Sequence, residues 1–207
     1  VVGLLLAFGL SMAVSRYDAR RDAVVNEANA IGTTYLRAQL LAEPQRSTSL
    51  GLLKDYGDAA VDLARNVSVS KRFAATRTRI ESLQAQLWAQ AGAAVKADPQ
   101  GSVAKLYLET LNDMIDQHTV RVASLHNQVP TSVMVLELLG SAVALGALAM
   151  YLTLLGRSLL PSVVAAAVIV LILLVAFDLD RPRRGFIKVP AAPLVDVRAS
   201  MEQPPLG

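Results

Sequence analysis

The feature that most constrains this chain is a pair of long apolar runs in its C-terminal half. Residues 133–155 contain a single charged side chain, Glu137, and residues 159–177 contain none. At a helical rise of about 1.5 Å per residue the first run extends roughly 35 Å, which exceeds the ~30 Å hydrocarbon core of a bilayer. Only the short link 156–158 separates the runs. They therefore predict a hairpin of two transmembrane helices joined by a short external loop.

A third apolar segment occupies residues 1–15. It is uncharged, but as a helix it would extend only about 22 Å, too short to cross a bilayer alone. We therefore predict a transmembrane helix at 1–15 that is truncated at its N-terminus. We expect further residues upstream of Val1, with room for an additional span.

Basic residues near the span ends predict the orientation. The hairpin places residues 16–132 and the tail 178–207 on the same side of the membrane. Cytoplasmic flanks carry an excess of Lys and Arg, and only Arg157 lies in the opposite loop. We therefore expect a multi-pass protein of the cell inner (plasma) membrane, with its polar domain and its basic tail in the cytoplasm. The flanking residues are Arg16, Arg20, Arg21, Arg121, Arg181, Arg183, Arg184 and Lys188.

The segment 16–132 has the apolar spacing of three and four residues that is typical of packed helix faces. Four helices are predicted: a continuation of the first span that ends near Pro44, a second at about 45–67, a third at about 70–97, and a fourth from Ser102 to about Val129. Short links favour antiparallel neighbours. The predicted fold class is an all-α membrane protein with transmembrane helices and a cytoplasmic antiparallel bundle of four helices.

Several function classes lack the residues that they require. The sequence has no Cys, which excludes disulfides, thiolate metal sites and cysteine nucleophiles. It has no phosphate-cradling glycine loop, no nucleophile elbow and no zinc-protease His pair. Its basic residues are not interleaved with aromatic ones, as nucleic-acid binding would favour. We therefore expect no enzyme, no cofactor, no metal and no nucleic-acid partner.

The first predicted helix carries small and polar side chains along one face. Small residues at every fourth position allow close packing of helix backbones, or they line a narrow pore. The polar stripe farther along either forms a buried network that fixes helix register or faces an aqueous vestibule. The pore-lining candidates are Gly3, Ala7, Ser11 and Ser15 in the span, and Asn26, Asn29 and Thr33 beyond it.

Ionisable residues supply a second set of candidates. Glu27 of the first helix is predicted to join a polar network with three residues of the fourth helix: Asn112, Asp116 and His118. Glu137 lies inside a span, where ionisable groups are costly and often functional, although near the interface it can also reach headgroups or an Arg. The flanking Arg and Lys side chains suit anionic lipid, and around an oligomer axis they would also concentrate anions.

Three motifs resemble the bestrophin-like family of bacterial and plant membrane proteins. They are residues 26–37, residues 111–116 with His118 and Arg121, and residues 177–185. The resemblance extends over nearly the whole chain, and the motifs are specific in combination. It implies membrane helices on both sides of a helical domain, usually with an additional span upstream. It also implies kinship with bestrophins, which are pentameric anion channels with cytoplasmic helical domains.

Two functions of different classes fit these features. The first is a homo-oligomeric, channel-like integral membrane protein in the lipid bilayer that conducts inorganic anions along its first helix. The alternative is a non-conducting signalling or scaffold protein whose helical bundle binds a partner. The stripe at Asn26 and Asn29 distinguishes them: burial within one protomer favours a scaffold, whereas exposure to an aqueous axis favours a channel.

Overall fold

The computed structural model describes residues 2–67, 70–181 and 185–203. Within them the chain forms seven α-helices and no strand, which confirms the all-α fold class predicted from the sequence. The helices are α1 (Val2–Ala38), α2 (Gln45–Arg65), α3 (Ser70–Ala97), α4 (Ser102–Ser124), α5 (Thr131–Leu154), α6 (Leu160–Asp180) and α7 (Ala192–Ser200).

Helices α1, α5 and α6 are the described helices that are long and apolar enough to cross a membrane. Their large aliphatic side chains lie mostly on the outside, for example Leu139, Val143 and Leu171. An apolar surface of this extent is unfavourable in water and is typical of a surface that contacts lipid or another protein. Gly156 has a φ of 61°, the left-handed conformation that commonly follows the end of a helix. It therefore separates α5 from α6.

The chain divides into two compact units. The membrane unit comprises Val1–Ala19 and Leu125–Lys188, and the bundle unit comprises Arg20–Ser124 and Val189–Gly207. Helix α1 contributes its first turns to the membrane unit and its remaining turns to the bundle unit. Each unit has its own buried side chains and is described separately.

In the membrane unit α5 packs on α6, and a small core forms from Ala13, Val129 and Ala176. Two carboxylates fix the chain around this core. Asp180 Oδ1 accepts a hydrogen bond from the backbone N–H of Val129 at 2.8 Å. The carboxylate of Asp178 accepts the N–H groups of residues 186 and 187 at 2.7 and 2.8 Å. The third sequence motif therefore contains two aspartates that satisfy backbone donors.

In the bundle unit α3 packs against α2 and α4, and buried side chains of these helices form the core. The largest buried aliphatic side chains include Leu53 and Leu63 of α2, Ile80 and Leu87 of α3, and Leu111 of α4.

Helix α1 contacts α4 through Thr34, whose Oγ1 donates to the carbonyl of Thr110 at 3.0 Å. Helix α1 ends at Ala38, six residues before Pro44, and so is shorter than the sequence predicts. Helix α4 ends at Ser124, before Val129.

Helix α7 lies in the segment for which the sequence predicts only a basic tail. It packs on α2, and its Leu194 is buried together with Met201 just beyond its end. Tyr35 Oη of α1 donates a hydrogen bond to the Met201 carbonyl at 3.0 Å. The C-terminal segment is therefore part of the bundle unit, in which it contacts both α1 and α2.

Arg198 fixes α7 to α2 by charge. Its Nε lies 2.8 Å from Oδ1 of Asp58, and one Nη donates to Oδ2 at 3.1 Å. It also pairs with Glu202. Gly57 supplies the room for this arrangement, because a Cβ built there would lie 2.9 Å from Cδ of Arg198. The neighbouring carboxylates raise the pKa of Arg198, Asp58 most strongly.

Arg198→Ala is expected to loosen α7 without unfolding the bundle unit. Backbone amides of residues 192–203 should exchange roughly two to five times faster, the range of a partly exposed ion pair. Hydrogen exchange with mass spectrometry measures this. Arg65→Ala is the matched control. Arg65 is exposed on α2, and together with Arg198 it lines a surface groove between α2 and α7. Equal exchange in both variants would contradict the role of Arg198.

Candidate functional site

A buried carboxylate lies at the centre of the bundle unit. Glu27 of α1 is 0% exposed, and its Oε1 lies 2.9 Å from Nδ1 of His118. Its Oε2 lies 2.5 Å from Nε of Arg121. Tyr56 of α2 donates its hydroxyl to Oε1 at 3.3 Å. The four side chains therefore connect α1, α2 and α4 in the interior, and we name them the Glu27 network.

Helical spacing explains why these residues converge. His118 and Arg121 are three positions apart on α4 and so share one face. The same face carries Leu111 and Met114, which are fully buried. The sequence predicts Arg121 among the basic residues that flank the membrane, and the structure buries its side chain against Glu27. The signal that points to this position is its three-residue spacing from His118 within the apolar stripe.

The Glu27 network contains a buried negative charge that is compensated by a buried positive charge. An isolated carboxylate in a protein interior is costly unless it is paired and hydrogen-bonded, and Arg121 supplies the opposite charge. Burial, together with the nearby charge of Glu27, raises the pKa of Tyr56 well above its usual value. Tyr56 therefore remains a neutral hydrogen-bond donor at physiological pH. All four side chains are buried, so the arrangement suits helix registration better than chemistry on a ligand.

The other predicted members of the polar network lie elsewhere. Asn112 Nδ2 donates to Asp116 Oδ2 at 3.2 Å, and both side chains are exposed. Of the predicted set, the structure brings together Glu27 and His118 in one group and Asn112 and Asp116 in another. Tyr56 was not singled out from the sequence, because a tyrosine on an apolar stripe is indistinguishable from an ordinary core residue.

The polar stripe of α1 lines an open groove on the bundle unit. Asn26, Asn29 and Thr33 are exposed, and they border a cavity of about 430 Å³. Thr110, Asp113 and Gln117 of α4 form the facing wall. The groove is thus polar on both sides and accessible to water. Within the described part of the chain, the stripe is therefore open to solvent and not buried in the bundle unit.

The small residues of the first span are also on the surface of the membrane unit: Gly3, Ala7, Ser11 and Ser15 are all exposed. The flanking basic residues are less uniform. Arg20 is 2% exposed, whereas Arg21, Arg181 and Lys188 are exposed and Arg16 is half-buried. Arg183 and Arg184 lie outside the described residues. Among the residues that are described, no cluster of three or more His, Asp or Glu side chains could hold a metal ion.

The three apolar helices and the polar bundle unit together define an integral membrane protein of the all-α class. Its particular family follows from comparison with known proteins. The family model described as Bestrophin-like domain matches residues 1–194, so the chain belongs to the Bestrophin-like family. The resemblance of the three sequence motifs is thereby confirmed. No curated protein matches the chain.

Solved structures show the same fold. A crystal structure of a bacterial bestrophin homologue from Klebsiella pneumoniae superposes with a TM-score of 0.74 at 12% identity, over 97% of this chain and 82% of that one. A mutated form of a bestrophin homologue from the same organism gives a TM-score of 0.69 at 11% identity, with the same coverage of both chains. Identities this low establish a common fold and nothing finer.

Removal of Arg121 is expected to destabilise the bundle unit strongly. Arg121→Ala leaves the carboxylate of Glu27 buried without its cation, which typically costs about 3–5 kcal/mol. Thermal unfolding of the detergent-solubilised protein measures the loss. Arg77→Ala removes an ion pair with Glu81 that lies on the surface of α3 and should cost less than about 1 kcal/mol. Similar losses in the two variants would contradict the central position of Glu27.

Proposed function

We propose that this protein is a homo-oligomeric channel of the cell inner membrane, in which one face of α1 lines the path of inorganic ions. The oligomer surrounds an axis, and the bundle unit and C-terminal segment lie in the cytoplasm. The membrane segment of the path is narrow and lined by small side chains. The cytoplasmic segment is the wider polar groove at Asn26, Asn29 and Thr33.

A continuous exposed stripe along α1 carries this proposal. Helix α1 runs without interruption from Val2 to Ala38. Residues three and four apart share a helix face, and the polar and small residues of α1 follow that spacing from one end to the other. Every member is exposed. The stripe comprises Gly3, Ala7, Ser11, Ser15, Asp18, Asp22, Asn26, Asn29 and Thr33.

The opposite side of α1 explains why the stripe faces outward. Ala23, Val24, Ala28 and Ile31 are buried, and Glu27 is paired in the network on the same side. In a single subunit the stripe therefore contacts solvent or other subunits. The small side chains of the span allow helices to approach closely, and the polar side chains beyond it suit a water-filled path between subunits.

Anions are the first candidate for the permeant ion. The family resemblance implies them, and exposed Arg21 next to the stripe would attract them. Inorganic cations are a second candidate, favoured by one observation: Asp18 and Asp22 are exposed and lie within the stripe itself. Rings of Asp side chains select cations, and rings of Arg select anions. The charge of the lining residues therefore decides between the two.

Flux through proteoliposomes tests conduction and selectivity together. Purified oligomer should release chloride or a monovalent cation from loaded vesicles faster than empty liposomes do. Asn29→Leu replaces a polar side chain of the groove by an apolar one and should slow this flux about tenfold, equivalent to an added barrier of about 1.4 kcal/mol. Asn112→Leu, a substitution at another exposed position that does not line the groove, should leave the flux unchanged. Asp22→Asn should shift the preference toward anions, and Arg21→Gln toward cations.

The same assay distinguishes a channel from the alternative function. If folded oligomer supports no flux of either ion class, the channel proposal is wrong, and a non-conducting signalling or scaffold protein replaces it. If flux occurs but responds equally to the Asn29 and Asn112 substitutions, α1 does not line the path.

The orientation can be tested with single cysteines, because the sequence contains none of its own. Ser158→Cys lies in the loop between α5 and α6, and Ser82→Cys lies on the exposed side of α3. In intact cells a membrane-impermeant maleimide should label position 158 only. Position 82 should react after permeabilisation. The reverse pattern would place the bundle unit outside the cytoplasm.

A further inference from the structure

A second buried carboxylate, Glu137 of α5, lies in the membrane unit. It is 5% exposed, and its Oε1 has no hydrogen-bond partner among the described residues. Ser141 lies one helical turn farther along α5, on the same face. It is 3% exposed, and its Oγ also lacks a partner within the described part of the chain. Unsatisfied buried polar atoms are uncommon in native proteins and require an explanation.

Gly9 of α1 provides the space for this carboxyl group. A Cβ built on Gly9 would overlap Oε1 and crowd the rest of the Glu137 carboxyl group. The side chain therefore lies directly against the α1 backbone, at a position that admits only glycine without displacement. The burial of Glu137 thus results from close helix packing and not from a loop that happens to cover it.

Among the described residues, the membrane-spanning parts of the surrounding helices supply no opposite charge to this carboxyl group, and the first basic residue of α1 beyond them is Arg16. Residues 2–15 of α1 are uncharged, Glu137 is the one charged residue of α5, and α6 has no charge before Asp178. The other titratable group of these spans is Tyr151, near the far end of α5. An ionised carboxylate in such surroundings is far less stable than a neutral carboxyl group. Glu137 therefore differs from Glu27, whose charge is paired with Arg121.

We propose that Glu137 is a proton-binding site within the membrane, which holds a proton while α1 is packed against it at Gly9. Uptake converts the carboxylate and one proton from water into a carboxyl group, and no other reactant is required. The protonated oxygen becomes an O–H donor, which suits an interior position. A hard metal cation would need about six oxygen ligands, and the site offers a carboxylate and one hydroxyl group.

This assignment is independent of ion conduction, since it concerns the occupancy of one carboxyl group. It has a mechanical consequence. Loss of the proton would leave a charge against the α1 backbone, and water would have to enter between α1 and α5 to solvate it. Protonation of Glu137 therefore favours the close contact at Gly9, and deprotonation opposes it.

Labelling with dicyclohexylcarbodiimide, an apolar reagent that attacks protonated carboxyl groups, tests the proposal. The full chain in detergent is treated across a range from about pH 5 to about pH 9, and modified peptides are quantified by mass spectrometry. Glu137 should be labelled at low pH, and labelling should fall about tenfold per pH unit once the group is mostly ionised. Exposed Glu109 serves as the internal control and should remain unlabelled by the apolar reagent.

Each alternative outcome has a definite meaning. Glu137→Gln should abolish the adduct and, because it mimics the neutral acid, should keep the melting temperature of the parent. Absence of labelling in folded parent protein at every pH would overturn the proposal. So would labelling that sodium ions suppress relative to choline at constant pH, because the site would then bind a metal cation. The parent's pH profile does not depend on the folding of any variant.

Discussion

A carboxylate that water does not reach connects three helices of the bundle unit. Glu27 can remain buried only because Arg121 neutralises its charge and His118 and Tyr56 occupy its lone pairs. The cost of breaking such a pair, about 3–5 kcal/mol, is a large fraction of the stability of a typical domain, about 5–15 kcal/mol. Consequently α1, α2 and α4 share one register, in which a shift of any helix would leave a charge unpaired. The positions of the other side chains in this unit follow from that register.

The rotation of α1 about its own axis is the most important result of this register, because it decides which α1 residues are exposed. When Glu27 points into the bundle unit, residues one position before and two positions after it point away, and Asn26 and Asn29 are exposed accordingly. The polar groove is thus a geometric result of the buried pair and not of local preferences of Asn. A single interior contact therefore orients the part of the proposed ion path that belongs to the bundle unit.

The buried carboxylates Glu27 and Glu137 show two solutions to the same physical problem. Glu27 keeps its charge because it pairs with Arg121, and this pair holds α1 and α4 rigidly together. Glu137 forms no ion pair with any described residue and lies close to Gly9, so the compensation that we propose for it is a proton. One site is fixed and the other is titratable. A channel whose packing responds to protons would combine a rigid bundle with a span of this kind.

The sequence by itself determined the all-α class, the apolar helices, and the start of α2, α3 and α4, because hydrophobic periodicity and run length are local properties. Its motifs also indicated the family. The basic residues near the span ends predict Arg121 at the membrane surface, and the C-terminal segment shows no pattern that predicts a helix. Neither sequence pattern reveals a partner that is distant in the chain. Only the tertiary structure brought Arg121 to Glu27, α7 to α2, and Gly9 to Glu137. These pairings depend on contacts between helices that are distant in the sequence. The sequence of one segment alone therefore does not predict them.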